Sequence, residues 1–241
     1  MPELKYKRIV LKISGEGLRR DSGFGIDADE LKRVGAEIKS VHDLGGEVAV
    51  VVGGGNIVRG SQIAVHAQIE EATGHYMGML ATIINALAIQ DTLESIGVPT
   101  RVQSAVNVDR VCEKFIRRRA MRHLEKGRVV IFAAGTGNPF VTTDTGAALR
   151  ASEINANAVL KATKVDGVYD SDPVKNPEAK RYTHLSYNEV INSRLEVMDV
   201  SAIDLCQRNN IPIVVFNLRT PNGMCDVVCG KPIGTLVDSN A

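Results

Sequence analysis

Three apolar runs of strand length, RIVLKI at 8–13, EVAVVV at 47–52 and RVVIFAA at 128–134, each lead straight into a glycine-rich turn. The turns read SGEG, GGGN and GTGN. The runs are continuous rather than alternating. That is the pattern of strands covered on both faces, as in a parallel sheet flanked by helices. Between them, Leu31, Val34, Ile38, Val41 and Leu44 recur every three or four residues and predict a helix over 27–44, stopped by Gly45 and Gly46. Further helices are expected over 76–96, 109–126, 144–156 and 201–209, and further strands over 101–105, 158–162, 212–217 and 235–237. The stretch 166–188, with Pro173 and Pro177, reads as a long functional loop. Strand and helix alternate throughout, so the fold class is α/β with right-handed crossovers.

Composition narrows the function classes. Hydrophobic residues make up 44% and charged residues 24% of 241, which is the mix of a globular chain. Lys and Arg number 29 against 28 Asp and Glu, so a net charge of +1 disfavours a general nucleic-acid binder. The opening MPELKYK has no apolar core before its first charges, so no signal peptide is expected. The most apolar stretch, 80–89, is interrupted by Asn85 and followed by Asp91, short of the ~20 apolar residues of a membrane span. Cys112, Cys206, Cys225 and Cys229 lack zinc-ligand spacing and read as reduced thiols. A cytoplasmic location with no membrane partner is expected.

In an open parallel sheet, the loops at the carboxyl ends of the strands gather on one edge, where ligands bind. Glycine lets backbone N–H groups close on an anion, and helix N-termini add partial positive charge. Three such turns point to phosphate binding. The chain has no G-x-x-x-x-G-K-[ST] and no G-x-G-x-x-G after its first strand, which excludes a P-loop enzyme and disfavours a nicotinamide dehydrogenase. Lys12 is the informative residue. It interrupts an apolar strand two residues before a glycine turn, and an ammonium there needs an anionic partner. So placed, it can neutralise charge on a transferring phosphoryl group.

The segments KISGEG, VVVGGGNIVRG, HYMGMLATIINALAIQD, GRVVIFAAGTGNPFVTTDT, LKATKVDGVYDSDP and LEVMDVSAIDLC with IPIVVFN resemble the bacterial uridylate (UMP) kinases of the amino-acid kinase superfamily, over roughly 6–237. The resemblance implies a three-layer αβα sandwich with a mostly parallel central sheet. It implies one domain over 1–241, with an acceptor lobe at roughly 1–157 and an ATP lobe at 158–241. It implies transfer of the ATP γ-phosphoryl to UMP with Mg²⁺, metal ligands unknown, in a homohexamer. By the same resemblance Lys12, Ile13, Ser14 and Gly15 meet the ATP phosphates, with Gly55 and Arg59 also on phosphate and Gly54 on UMP. The segment Thr136, Gly137, Asn138, Pro139, Phe140, Val141, Thr142 and Thr143 resembles the UMP-binding stretch, with Phe140 against the base. Thr163, Tyr169 and Asp172 resemble adenine and ribose contacts. Asp144 would orient the lysine or support metal through water, and Asp199 would stand behind Lys12. Each also sits at a helix start, where an N-cap is the plain structural role.

Two positions depart from the family. His75 stands where many members carry an Asp that binds ribose hydroxyls, and Val141 where Phe is frequent. Imidazole offers one donor or acceptor in place of two carboxylate acceptors. Control by GTP or UTP is common in part of the family. The loop 20–25, Arg101 and the run Arg117, Arg118, Arg119 could serve it, although the arginine run reads equally as a solvated helix face. The helix 76–96 is a candidate for subunit contact or for the core. A carboxylate or carbamate kinase of the same fold and a non-catalytic nucleotide-binding module are the alternatives.

Overall fold

The computed structural model describes residues 3–20, 23–58 and 69–240. Strand β1 (Arg8–Ile13) lies at the centre of a nine-stranded sheet, flanked by β2 (Glu47–Val52) and β6 (Ala158–Thr163), both parallel to it. Beyond β2 come β5 (Val129–Ala133), β3 (Thr100–Ser104) and the two-residue β4 (Glu113–Lys114). Beyond β6 come β8 (Ile213–Asn217), β9 (Thr235–Asp238) and β7 (His184–Ser186). Among the strand pairs of the described residues, only β8–β9 is antiparallel.

Alternation along the strands divides the core into two layers. On one face Ile9, Leu11 and Ile13 pack with α1 (Ala28–Asp43), α2 (Glu71–Ser95) and α7 (Gly223–Val228). On the other, Val10 and Val159 pack with α3 (Arg117–Glu125), α4 (Thr143–Glu153), α5 (Tyr187–Asn192) and α6 (Val200–Arg208). The result is the expected three-layer sandwich. Lys12 follows Val10 by two residues and therefore faces α4.

Most strands fall within a residue or two of their expected limits. The exception among the helices is 109–126. Only Arg117–Glu125 is helical, because Phe115 N–H bonds to Ser104 O at the sheet edge and the Phe115 ring sits edge-on to Phe132 at 5.5 Å. Pairing with β3 outcompetes the helical pattern there. Helix α2 starts at Glu71, five residues ahead of expectation, running through Gly74 and Gly78. Within 166–188, Tyr169 bridges Arg181 and the chain then re-enters the sheet as β7. All four cysteines are free, and burial pushes the Cys206 thiol up to about 12.

By length and composition α2 is long and apolar enough to cross a membrane. Here it covers the sheet with Ile83, Ala86, Ile89 and Leu93, while Tyr76, Leu80 and Ile84 on another face are exposed. Its buried polar residues bond to strand ends. Asn85 Nδ2 donates to Gly53 O and to Asn56 Oδ1, each at 2.7 Å, and Asn56 Nδ2 returns a bond to Asn85 Oδ1 at 3.0 Å. Thr82 Oγ1 accepts from Ala134 N at 2.6 Å. The helix thereby holds the turns after β2 and β5. Asn85→Leu takes the donor from Gly53 O and Asn56 Oδ1 in the interior, while Asn56 Nδ2 keeps Gly25 O at 2.8 Å, and urea unfolding should show a loss of about 2 kcal/mol.

Candidate active site

The three glycine turns meet on the carboxyl edge. The first two are in direct contact. A Cβ on Gly15 would lie 2.5 Å from Asn56 Oδ1 and 2.6 Å from Gly55 N, so only glycine lets the turns approach this closely. Gly54 is pressed against α2, where a Cβ would come within 2.6 Å of Gly78 O. The third turn passes through positive φ at Ala134 (60°), Gly135 (55°) and Gly137 (81°). Between the second and third turns opens a cavity of about 230 Å³, lined by Gly54, His75, Thr136, Asn138, Val141 and Thr143 among others. His75 stands over Phe140, ring centroids 5.0 Å apart and tilted by 58°. Its Nε2 is buried without a hydrogen bond, 3.7 Å from Glu71. Phe140 is 66% exposed and sits at φ 65°, a conformation uncommon for an aromatic residue.

Beside this cavity, at the end of β1, three charges converge. Lys12 is 7% exposed, and its Nζ lies 2.7 Å from Asp144 Oδ1, outside hydrogen-bond alignment. Lys161, its register partner on β6, donates from Nζ to Asp144 Oδ2 at 2.9 Å and to Val197 O. Adjacent parallel strands in register put the two ammonium groups side by side, with the carboxylate between them. Burial works to raise the Asp144 pKa, but the two lysines outweigh it and hold it below the usual carboxylate range. Burial is also the chief cause that lowers Lys161, against the pull of Asp144.

Asp144 reaches this position because it does not cap α4. Thr142 does, accepting from Asp144 N at 3.1 Å and Thr145 N at 3.2 Å. The Asp144 carboxylate is left for the lysines and lies in the first turn, where the helix dipole favours negative charge. Asp199 does cap α6, accepting from Ala202 N at 2.8 Å, and also accepts from Thr142 and Thr145 hydroxyls. It thus joins the starts of α4 and α6, bonded to α4 rather than to Lys12.

On the β6 side, Ile13, Ser14 and Thr163 line a small cavity beneath Arg219, while Tyr169 and Asp172 line a separate one of about 510 Å³. Tyr169 OH donates to Asp166 at 2.5 Å. Pro139 belongs to the loop that carries Asn138 and Phe140. Arg59 lies outside the described residues. No three His, Cys, Asp or Glu side chains among the described residues are grouped to hold a metal. Asp144 and Asp199 are already engaged, so a divalent cation here would be held mainly by a ligand's own phosphates.

Sequence reasoning missed Lys161, although the signal that marks Lys12 is repeated there: AVLKAT places a lysine in an apolar strand as RIVLKI does. It also passed over Thr82 and Arg150, whose bonds to the third glycine turn join residues distant in sequence.

The chain belongs to the amino acid kinase family, whose model matches residues 7–217. It is 56% identical over 237 residues to the uridylate kinase of Methylococcus capsulatus (strain ATCC 33009 / NCIMB 11132 / Bath), covering 98% of this chain and 99% of that one. It is also 56% identical over 236 residues to the chloroplastic uridylate kinase PUMPKIN of Arabidopsis thaliana, covering 98% of this chain and 70% of that one. Among solved structures, UMP kinase from Bacillus anthracis superposes with a TM-score of 0.95 at 41% identity, covering 98% of this chain and 97% of that one.

The charge arrangement makes a prediction about stability. Asp144→Asn leaves two ammonium groups adjacent and uncompensated, and should cost roughly 3 kcal/mol in denaturant unfolding. Lys161→Met leaves Asp144 paired with Lys12 and relieves a desolvated charge, so its cost should be about 1 kcal/mol or less. Because the Asp144 pKa is depressed, its contribution is complete above the usual carboxylate range and lost as pH falls through the lowered value. Asp144→Asn should therefore flatten part of the acid limb of the stability curve.

Proposed function

We infer that this chain is a uridylate kinase, moving the ATP γ-phosphoryl to UMP to give UDP and ADP, in pyrimidine nucleotide synthesis. The observation that carries the inference is the Lys12–Asp144–Lys161 group on β1 and β6, between a cavity over β2 and β5 and clefts over β6 and β8. UMP occupies the first cavity, on the 1–157 side. Its ribose faces His75, its base lies by Phe140 and Val141, and its phosphate faces Lys12 with Gly54; by the family resemblance Gly55 and Arg59 serve the ATP phosphates. ATP lies on the 158–241 side, its phosphates along Ser14 and Gly15, its adenosine by Thr163, Tyr169 and Asp172.

Catalysis is positioning and charge neutralisation. Lys12 and Lys161 stabilise negative charge on the group in transit. Asp144 holds them in place and lets both stay charged. No general base is required, because the attacking phosphate oxygen of UMP is already ionised. A Mg²⁺ ion accompanying ATP would be held mainly by the nucleotide's phosphates and would supply further charge neutralisation there.

Three further features complete the reading. The exposed apolar residues Tyr76, Leu80 and Ile84 of α2 support self-association, as a hexamer by family resemblance. Arg101, paired with Glu94 at 3.0 Å, and the α3 arginines support an effector site for GTP or UTP. The working compartment is the cytoplasm.

Purified protein given ATP and Mg²⁺ with UMP, CMP, AMP or glutamate in turn should release ADP fastest with UMP. A preference for glutamate, or no ADP with any acceptor, would contradict the reading. Lys12→Met should lower kcat by about 10²-fold or more while circular dichroism stays unchanged. His75→Asp should leave KM for UMP unchanged or lower it, since a carboxylate offers ribose two acceptors. A large rise in KM would show that the imidazole has its own role.

A further inference from the structure

Arg150 is 4% exposed, on the face of α4 turned towards the sheet. A buried guanidinium is costly unless its charge and its donors are met. Glu153 meets the charge, accepting from Nη1 at 2.6 Å. Phe115 stacks on the guanidinium at 3.7 Å, with Phe132 behind at 5.9 Å. The other arm is directed at the third glycine turn, where Nη2 donates to Gly135 O at 3.1 Å, while Nε is buried without a hydrogen bond. That turn carries Ala134 and Gly135 consecutively at positive φ, a strained conformation for alanine that persists only when neighbours impose it. It is held by two bonds from other elements, Thr82 on Ala134 N–H and Arg150 on Gly135 C=O. Immediately after it come Thr136 and Asn138, which line the acceptor cavity.

We propose that Arg150 is a positioning residue for the acceptor nucleotide. Its fork, fixed by Glu153 and the Phe115 ring, sets the carbonyl of Gly135 and so aims Thr136 and Asn138 into the cavity. A lysine cannot reproduce this, because it lacks the planar stack and the second arm. The role rests on the reading that this cavity takes UMP.

Steady-state kinetics in UMP and in ATP separately test it. Arg150→Met should raise KM for UMP about tenfold and leave KM for ATP within about twofold, with Arg150→Lys recovering part of the loss. If Arg150→Met does not fold, Phe115→Leu keeps the charge and removes the stack, and should raise KM for UMP about threefold with the same selectivity. A fall in melting temperature with unchanged KM for UMP would reduce Arg150 to a core residue and overturn the proposal. So would an equal rise in both KM values. Thr136→Val separates the two readings. If it raises KM for UMP and Arg150→Met does not, only the positioning role falls. If neither variant moves KM for UMP, the acceptor assignment itself fails.

Discussion

Two lysines on neighbouring parallel strands, in register and on the same face, would repel each other strongly in a buried site. The carboxylate of Asp144 between them makes the arrangement possible. Several features of the chain serve that contact. Helix α4 must start beside the ends of β1 and β6, and Thr142 caps it so that Asp144 is free. Asp199 ties the start of α6 to the same turn through Thr142 and Thr145. The N-terminal end of α4 favours the negative charge it presents. The group Lys12–Asp144–Lys161 carries one net positive charge, and Asp199 acts on Lys161 from the start of α6.

On the proposed reading, sheet order makes that charge group a place for transfer between two ligands. Strand β1 is central, with β2 and β5 on one side and β6 and β8 on the other. The turns after β2 and β5 enclose one cavity, and the segments after β6 and β8 shape the other clefts. Lys12 and Lys161 stand at the boundary. This is the arrangement expected at the carboxyl edge of a parallel sheet, where connections diverge to opposite sides. The turns are held from behind by α2 and α4, through Asn85, Thr82 and Arg150. Backbone groups near the ligand are thus fixed by side chains that need not touch it.

Much of the architecture could be read from local pattern. The apolar runs gave the central strands, because strands buried on both faces carry an unbroken signal. The helix expected over 109–126 failed at its first half, because pairing of Phe115 with Ser104 is a contact between distant elements. Strand β7 and helices α5 and α7 are short and depend on packing, so periodicity could not reveal them. At the site, Lys12 stood out as a charge in an apolar strand. Lys161 carried the same mark, but no glycine turn follows it to draw attention. The bridging role of Asp144 required knowing which helix end meets which strand end. Arg150 carries no mark in the sequence, because its ring and carbonyl partners come from other elements.

The central claim is that Lys12 and Lys161 act on charge in transit rather than on either nucleotide at rest. The direct measurement is the equilibrium affinity for a planar phosphoryl mimic, aluminium fluoride bound with ADP and UMP, set beside the affinities for UMP and ATP alone. In Lys161→Met the account predicts about a 100-fold weaker mimic complex, with the separate nucleotide affinities changed by no more than a few-fold. Equal weakening of all three would contradict it and make the lysine a ground-state binding group.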